Sequence, residues 1–170
     1  MVDSSPTVAN GVVYVGSDDH NVYALNAISG AKLWQFTTGF LVDSSPAVAD
    51  GVIYIGSEDA YVYALNANTG VQLWKFATTV GVNSSPAIAN GVVYVGSYND
   101  NFYALDAAGG YELWQYTAGS YITSSPAVVN GQVFFGSVDN NVYAFNDPTA
   151  PVPAVRPEPS VLRPDFSLRK

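Results

Sequence analysis

The sequence predicts an all-β chain made of four copies of one four-stranded antiparallel unit. Three observations predict it. Ser4-Ser5-Pro6 returns as Ser44-Ser45-Pro46, Ser84-Ser85-Pro86 and Ser124-Ser125-Pro126, an interval of 40 residues without insertion or deletion. An Asn-Gly or Asp-Gly pair, the usual signal of a tight hairpin, sits at a fixed place in each copy: Asn10-Gly11, Asp50-Gly51, Asn90-Gly91 and Asn130-Gly131. Between these punctuation marks run β-branched and aromatic residues with no helical spacing.

Each unit divides into four strands. SSPAVA is the first. The Asn-Gly or Asp-Gly turn leads to VVYVGS. A polar turn such as Asp18-Asp19-His20-Asn21 leads to VYALNA, and a second turn, Ile28-Ser29-Gly30, leads to KLWQF. In VVYVG, Val12 and Tyr14 face one way and Val13 and Val15 the other; in VYAL, Val22 and Ala24 oppose Tyr23 and Leu25. Both faces are apolar, whereas a sheet with one wet face would alternate apolar and polar. Such sheets need a neighbour on each side. Four-stranded units of this length, packed between like neighbours, predict a β-propeller of four-stranded antiparallel blades, about four to the chain.

Composition bounds the rest. The chain has 170 residues, 48% of them hydrophobic, enough for a packed core and too apolar for a disordered chain. It has no Cys, hence no disulfide or thiol chemistry. The net charge is −8, and residues 1–147 carry only Lys32 and Lys75 as bases, so nucleic acid and anionic membrane surfaces are disfavoured partners. No apolar run reaches the length of a membrane span, and MVDSSPTVANG lacks the basic start and apolar run of a signal peptide. No membrane insertion is expected.

The fourth unit departs from the others. Its third strand runs into Asp147-Pro148-Thr149-Ala150-Pro151-Val152-Pro153, and Ala154 stands where the fourth Trp is due. Proline cannot donate to a ladder, so residues 1–147 hold four repeats of which the last lacks its outer strand. Residues 148–170 form a Pro-rich tail. Phe166 and Leu168 alternate in DFSLRK as Trp34 and Phe36 do in LWQF, so that end is a candidate for the missing strand.

Ala24-x-Asn26-x-x-Ser29-Gly30-x-x-x-Trp34 resembles the tryptophan-docking motif of quinoprotein-type propellers, the pyrroloquinoline-quinone-like repeat. Ala64, Asn66, Thr69, Gly70 and Trp74 match it again, as do Ala104, Asp106, Gly110 and Trp114, with Gly109 in place of Thr or Ser. The resemblance spans residues 1–146. It is also found in the propeller lipoprotein of the bacterial outer-membrane barrel-assembly machinery, which implies a periplasmic or extracellular setting. It implies docking roles for Trp34, Trp74, Trp114, Gly30, Gly70 and Gly110, each indole lying on the Gly peptide of the next blade's motif. Only glycine lets a flat ring approach a backbone that closely. The quinone-binding members use eight blades, a vicinal Cys pair, a catalytic Asp, a Ca²⁺ set of Glu and Asn, and a Trp floor. This chain has no Cys, so the fold and the docking motif carry over and the enzyme does not; no cofactor and no metal site is expected.

Four such blades leave an apolar face bare at each end of the row. Two chains closing one eight-bladed ring would cover both, and this homodimer is preferred to a four-bladed monomer, which would need about twice the angular step between blades. Acids in the second turns read as turn chemistry, His20 as a solvated turn residue, and the Ser-Ser-Pro columns as serines bonded to local backbone. The loops before Ser-Ser-Pro vary most between copies. Phe40, Asp43, Asn83, Tyr121 and Thr123 are the expected contacts for a protein or extracellular ligand there. The expected function is a non-catalytic scaffold and binding module that self-assembles by blade docking and presents loops and a central channel. Two alternatives stand beside it: part of a quinone- or metal-dependent oxidoreductase propeller, and an engineered or excised half-propeller that only assembles.

Overall fold

Each copy of the repeat forms its own antiparallel sheet, with strands in sequence order. The structure is a computed structural model and describes residues 1–146 and the strand at 160–162. The first sheet is β1 (Thr7–Ala9), β2 (Val12–Gly16), β3 (Asn21–Asn26) and β4 (Lys32–Thr37). The second is β5 (Ala47–Ala49), β6 (Val52–Ser57), β7 (Tyr61–Asn66) and β8 (Gln72–Ala77). The third is β9 (Ala87–Ala89), β10 (Val92–Gly96), β11 (Asn101–Asp106) and β12 (Glu112–Thr117). The fourth is β13 (Ala127–Val129), β14 (Gln132–Gly136), β15 (Val142–Asn146) and β16 (Ser160–Leu162). No helix among the described residues is long and apolar enough to cross a membrane.

Turn chemistry fixes each register. Asn10 and Gly11 both take positive φ, 50° and 76°, which suits the twist of a two-residue hairpin, and the other three copies repeat this. In the second hairpin turn the Asn26 side-chain oxygen accepts from the backbone N–H groups of Ile28 and Ser29 and from the Ser29 hydroxyl. Asn66 does the same for Asn68 and Thr69. In the third copy the Asp106 carboxylate holds the Gly109 N–H at 2.6 Å without a hydroxyl to help.

The tail meets the fourth sheet by a segment other than the one alternation favours. Val142 pairs with Leu162, Tyr143 with Val161 and Ala144 with Ser160. DFSLRK lies outside the described residues. In the first three copies the outer strand follows its partner across a short turn; here it arrives only after the Pro-rich stretch.

Neighbouring sheets pack face to face. Tyr14, Val22 and Ala24 of the first meet Ile53, Ile55, Tyr63 and Leu65 of the second. The second and third, and the third and fourth, form equivalent cores. The first strands β1, β5, β9 and β13 touch in succession, so they share an axis. Phe135 and Phe145 thicken the last core by stacking with Phe102. The end faces are less covered: Val13, Val15, Tyr23 and Leu25 are half-buried, while their counterparts in the second sheet are buried. Phe134 and Val142 are half-buried on the other end, where Tyr94 and Phe102 are fully buried in the third sheet.

At the rim of the first two seams an aromatic pair reaches across. The Trp34 indole N–H and the Tyr14 hydroxyl both donate to the Ala67 carbonyl, at 3.0 and 3.1 Å. Trp74 and Tyr54 do the same to Ala107, at 2.9 and 3.1 Å. The rings lie on the glycines beyond. A Cβ on Gly70 would stand 2.7 Å from Trp34, and one on Gly110 2.4 Å from Trp74. Both glycines also hold positive φ. Gly30 has the same φ and nothing within 4 Å, because no tryptophan of another sheet lies on it among the described residues. Trp114 is buried, and its indole N–H has no partner among the described residues; the position that would accept it by repeat register, Asp147, lies outside them.

Gly30 and Gly110 thus separate backbone strain from ring contact. Gly30→Ala carries only the cost of a left-handed residue, about 1–2 kcal/mol. Gly110→Ala carries that and a methyl driven into an indole. Urea unfolding should show the larger loss for Gly110→Ala, and Trp74→Ala should lose about 3–5 kcal/mol. Equal losses for the two glycine variants would mean that the ring contact contributes nothing.

Candidate functional site

The loops leading into the inner strands are tied to the turns between second and third strands. Backbone bonds run from Asp18 N to Met1 O, Glu58 N to Leu41 O, Tyr98 N to Gly81 O and Val138 N to Tyr121 O, at 2.9–3.1 Å. This brings two columns of the repeat side by side. One is Asp3, Asp43, Asn83 and Thr123; the other is Asp18, Glu58, Tyr98 and Val138. In the first two sheets both columns are acidic, and they meet at the axial mouth of the fold. Carboxylate oxygens of Asp3, Asp18 and Asp43 lie within 4.8 Å of one another. The Asn83 amide donates to Asp43 at 3.2 Å and also bonds Glu58. One oxygen each of Asp18 and Asp43 is shut from water without a hydrogen-bond partner among the described residues.

Like charges this close resist ionisation. Burial pushes the Asp43 carboxyl above its ordinary value, and the charges of Asp18 and Asp3 push it further. Burial raises Glu58 in the same way, with the Asp43 charge next in size. Tyr98 is raised by burial and then by the charges of Glu58 and Asp43. Its ring leans on Gly81, where a Cβ would come within 3.3 Å, and meets Tyr121 edge to face at 5.8 Å. The N-terminal amine, 3.4 Å from Asp18, is the cation nearest the acids among the described residues.

Of the five residues expected to contact a ligand, the structure gathers Asp43 and Asn83 directly and joins Tyr121 to them through Tyr98. Thr123 is exposed at the same register, and Phe40 packs instead on His20 at 5.4 Å. Sequence reasoning missed Asp18 and Glu58 because it treated the turn acids as one class; it also passed over Asp3, one register before Asp43, and Tyr98, the neutral member of the turn column. The two turn columns divide the work. Asp19, Asp59 and Asp139 hold turn N–H groups and the hydroxyls of Tyr23, Tyr63 and Tyr143. The residues before Asp19 and Asp59, Asp18 and Glu58, face the loop acids at the mouth. Aligning the loop and turn columns by register would have exposed the pairing.

The serines also differ from expectation. Their hydroxyls reach the neighbouring sheet as well as local backbone. Ser44 Oγ accepts from Gly56 N and donates to Ser84 O; Ser84 Oγ accepts from Gly96 N and donates to Ser124 O. Ser45 and Ser85 accept from Ser5 N and Ser45 N of the sheet before. The residues do not fit the quinone set that the resemblance implies: a Cys pair is lacking, and each Trp ring is packed within a seam and cannot floor a cofactor.

The perturbed acids set a pH profile. Asp43 and Glu58 are raised, so their contribution is complete below the unfolded values of 3.8 and 4.5 and is lost as pH rises through the folded ones. Asp19 and Asp139 run the other way. The Tyr23 hydroxyl lowers Asp19. Burial pushes Asp139 up, but the Tyr143 hydroxyl and the Asn141 and Gly119 N–H groups outweigh it and bring it to about 2. Their contribution is present above 3.8 and is lost as pH falls toward 2. Tm should rise on acidification from neutral pH toward 4.5 and fall again below 3.8. Asp43→Asn should raise Tm at neutral pH and flatten that rise. Circular dichroism melts across pH would read it, and an unflattened profile would acquit Asp43.

A family model described as outer membrane protein assembly factor BamB matches residues 1–82 and again 58–151. No curated protein matches the chain in sequence. Among solved structures, BamB from Moraxella catarrhalis superposes with a TM-score of 0.77 at 20% identity, over 86% of this chain and 47% of that one. The computationally designed Ika4 protein gives 0.75 at 18%, over 84% of this chain and 91% of that one. Quinohemoprotein alcohol dehydrogenase from Comamonas testosteroni gives 0.77 at 16%, over 86% and 33%. The fold is a β-propeller. The chain spans about half the length of the Moraxella protein it matches.

Proposed function

The chain belongs to the family of the outer membrane protein assembly factor BamB, and we propose that it is a non-catalytic propeller scaffold that assembles with a second copy and binds a protein partner at its axial mouth. The observation that carries this reading is the less-covered apolar face at each end of the row of sheets, whose residues are half-buried where their counterparts in the inner sheets are buried. Two chains of four sheets, each first sheet against the other's fourth, cover all four end faces and leave none for aggregation. Blade docking by Trp34 on Gly70 and Trp74 on Gly110 supplies the assembly geometry.

The mouth supplies the binding surface. Its clustered carboxylates, flanked by Tyr98 and Tyr121, suit a basic segment of a partner, as does the −8 net charge. Asp43, Asn83, Tyr121 and Thr123 are its contacts, with Phe40 at the edge.

Light scattering should give about 36 kDa, twice the 18.0 kDa of one chain. A mass of 18.0 kDa at micromolar concentration would end the self-assembly reading. A fluorescent Lys- and Arg-rich peptide should bind in anisotropy, bind less in high salt, and lose affinity in Asp43→Asn/Glu58→Gln. A Glu-rich peptide should not bind; equal binding of both would remove the mouth from the proposal.

A further inference from the structure

Every seam has the same parts at its axial end. A loop residue of one sheet plugs a glycine of the sheet before: Val42 over Gly16, Val82 over Gly56 and Ile122 over Gly96. A Cβ on those glycines would meet the plug side chain at 2.6, 2.3 and 2.2 Å. All three plugs are fully buried, 0% exposed. Each plug also donates its backbone N–H to the preceding sheet, at Ser17, Ser57 and Ser97 O. Serine bonds add to the seams: Ser5 N–H to Ser45 Oγ in the first, Ser45 N–H to Ser85 Oγ and Ser44 Oγ to Ser84 O in the second, and Ser84 Oγ to Ser124 O in the third.

The chain carries a spare half of this seam at each end. One register on from Gly96, Gly136 is open: a Cβ there would meet nothing nearer than Ser124 Oγ at 3.6 Å among the described residues. Ser124 Oγ donates to Gly136 O of its own sheet, where Ser44 and Ser84 donate to the next sheet. One register before Val42, Val2 is 58% exposed. Socket and plug are continuous in register with three seams already formed, so the occupant that fits is another copy of this chain.

We infer that Val2 of a second copy fills the Gly136 socket and that this seam is keyed at the axis alone. The partner's Val2 N–H donates to Ser137 O, Ser124 Oγ to the partner's Ser4 O, and Ser125 N–H to the partner's Ser5 Oγ. The rim of the seam is stripped. Phe134 replaces the tyrosine that donates from Tyr14 and Tyr54, and the sequence has Ala154 at the Trp register. Ala27 O, the counterpart of Ala67 and Ala107, receives neither bond from that side. The seam between copies is therefore the weakest in the ring and the place where it opens. The inference rests on the self-assembly proposed above.

Two variants test it. Gly136→Ala has room within one chain, since its φ is not positive and its methyl makes only ordinary contacts. It should leave the fold's circular dichroism unchanged and weaken dimerisation about tenfold or more, read by light scattering on dilution. Ser5→Cys/Ser125→Cys should, on oxidation, give a disulfide dimer of about 36 kDa, twice 18.0 kDa, without a ladder of larger species. A dimer that forms without cross-linking and ignores Gly136→Ala overturns this seam and leaves self-assembly standing. A species of 18.0 kDa cross-linked within itself overturns both, because four sheets would then close alone. An uncross-linked monomer also overturns both.

Discussion

A sheet that is apolar on both faces cannot stand alone in water, and that constraint governs everything else in this protein. Burial of apolar surface is the dominant favourable term, at about 25 cal/mol per Å². Here it is available only when another sheet lies alongside at a fixed distance. The indole lying on a glycine peptide sets that distance at the rim, and the valine or isoleucine plug sets it at the axis. Both are steric keys, and both need a glycine because a single Cβ would occupy the space.

The repeat made most of the fold legible. Strand boundaries follow from the Asn-Gly hairpins and from the Asn26 and Asn66 turns, which are local chemistry that sequence spells out. The aromatic seam was legible through its motif, although the convergence of Trp34 and Tyr14 on one carbonyl was not, since it joins residues of two sheets. The site was only half legible. Asp43 and Asn83 stood out by variation between copies. Glu58 and Asp18 did not, because an acid in a turn looks the same whether it holds backbone, as Asp59 does, or faces the axis. What separates them is the backbone bond from Glu58 N to Leu41 O, which no local pattern announces. The tail segment that pairs with β15, Ser160–Leu162, was not legible for a similar reason: its alternation is weaker than that of Phe166 and Leu168, which lie outside the described residues.

Structural columns and variable columns are kept apart in the same loop. In Val42-Asp43-Ser44, the valine plugs Gly16, the serine bonds Gly56 and Ser84, and only the middle residue faces the acids of the mouth. Asp3, Asp43, Asn83 and Thr123 can therefore differ while their neighbours hardly do. The first two sheets concentrate negative charge and the last two carry neutral groups, so the mouth is polarised across the axis although the scaffold beneath it is nearly uniform.

The late arrival of β16 bears on how the chain comes into being. In each of the first three sheets every strand pairs with one close behind it in the chain. Such local pairing needs little loop closure and proceeds quickly. A nascent chain can finish one sheet, and then lay the next against it, as each stretch of residues emerges from the ribosome. The fourth sheet breaks that rhythm, because β15 ends at Asn146 and its outer strand begins only at Ser160. Until Ser160–Leu162 has been made, β15 keeps an open edge, and the order of synthesis leaves that edge the last of the four sheets' strand pairings to form.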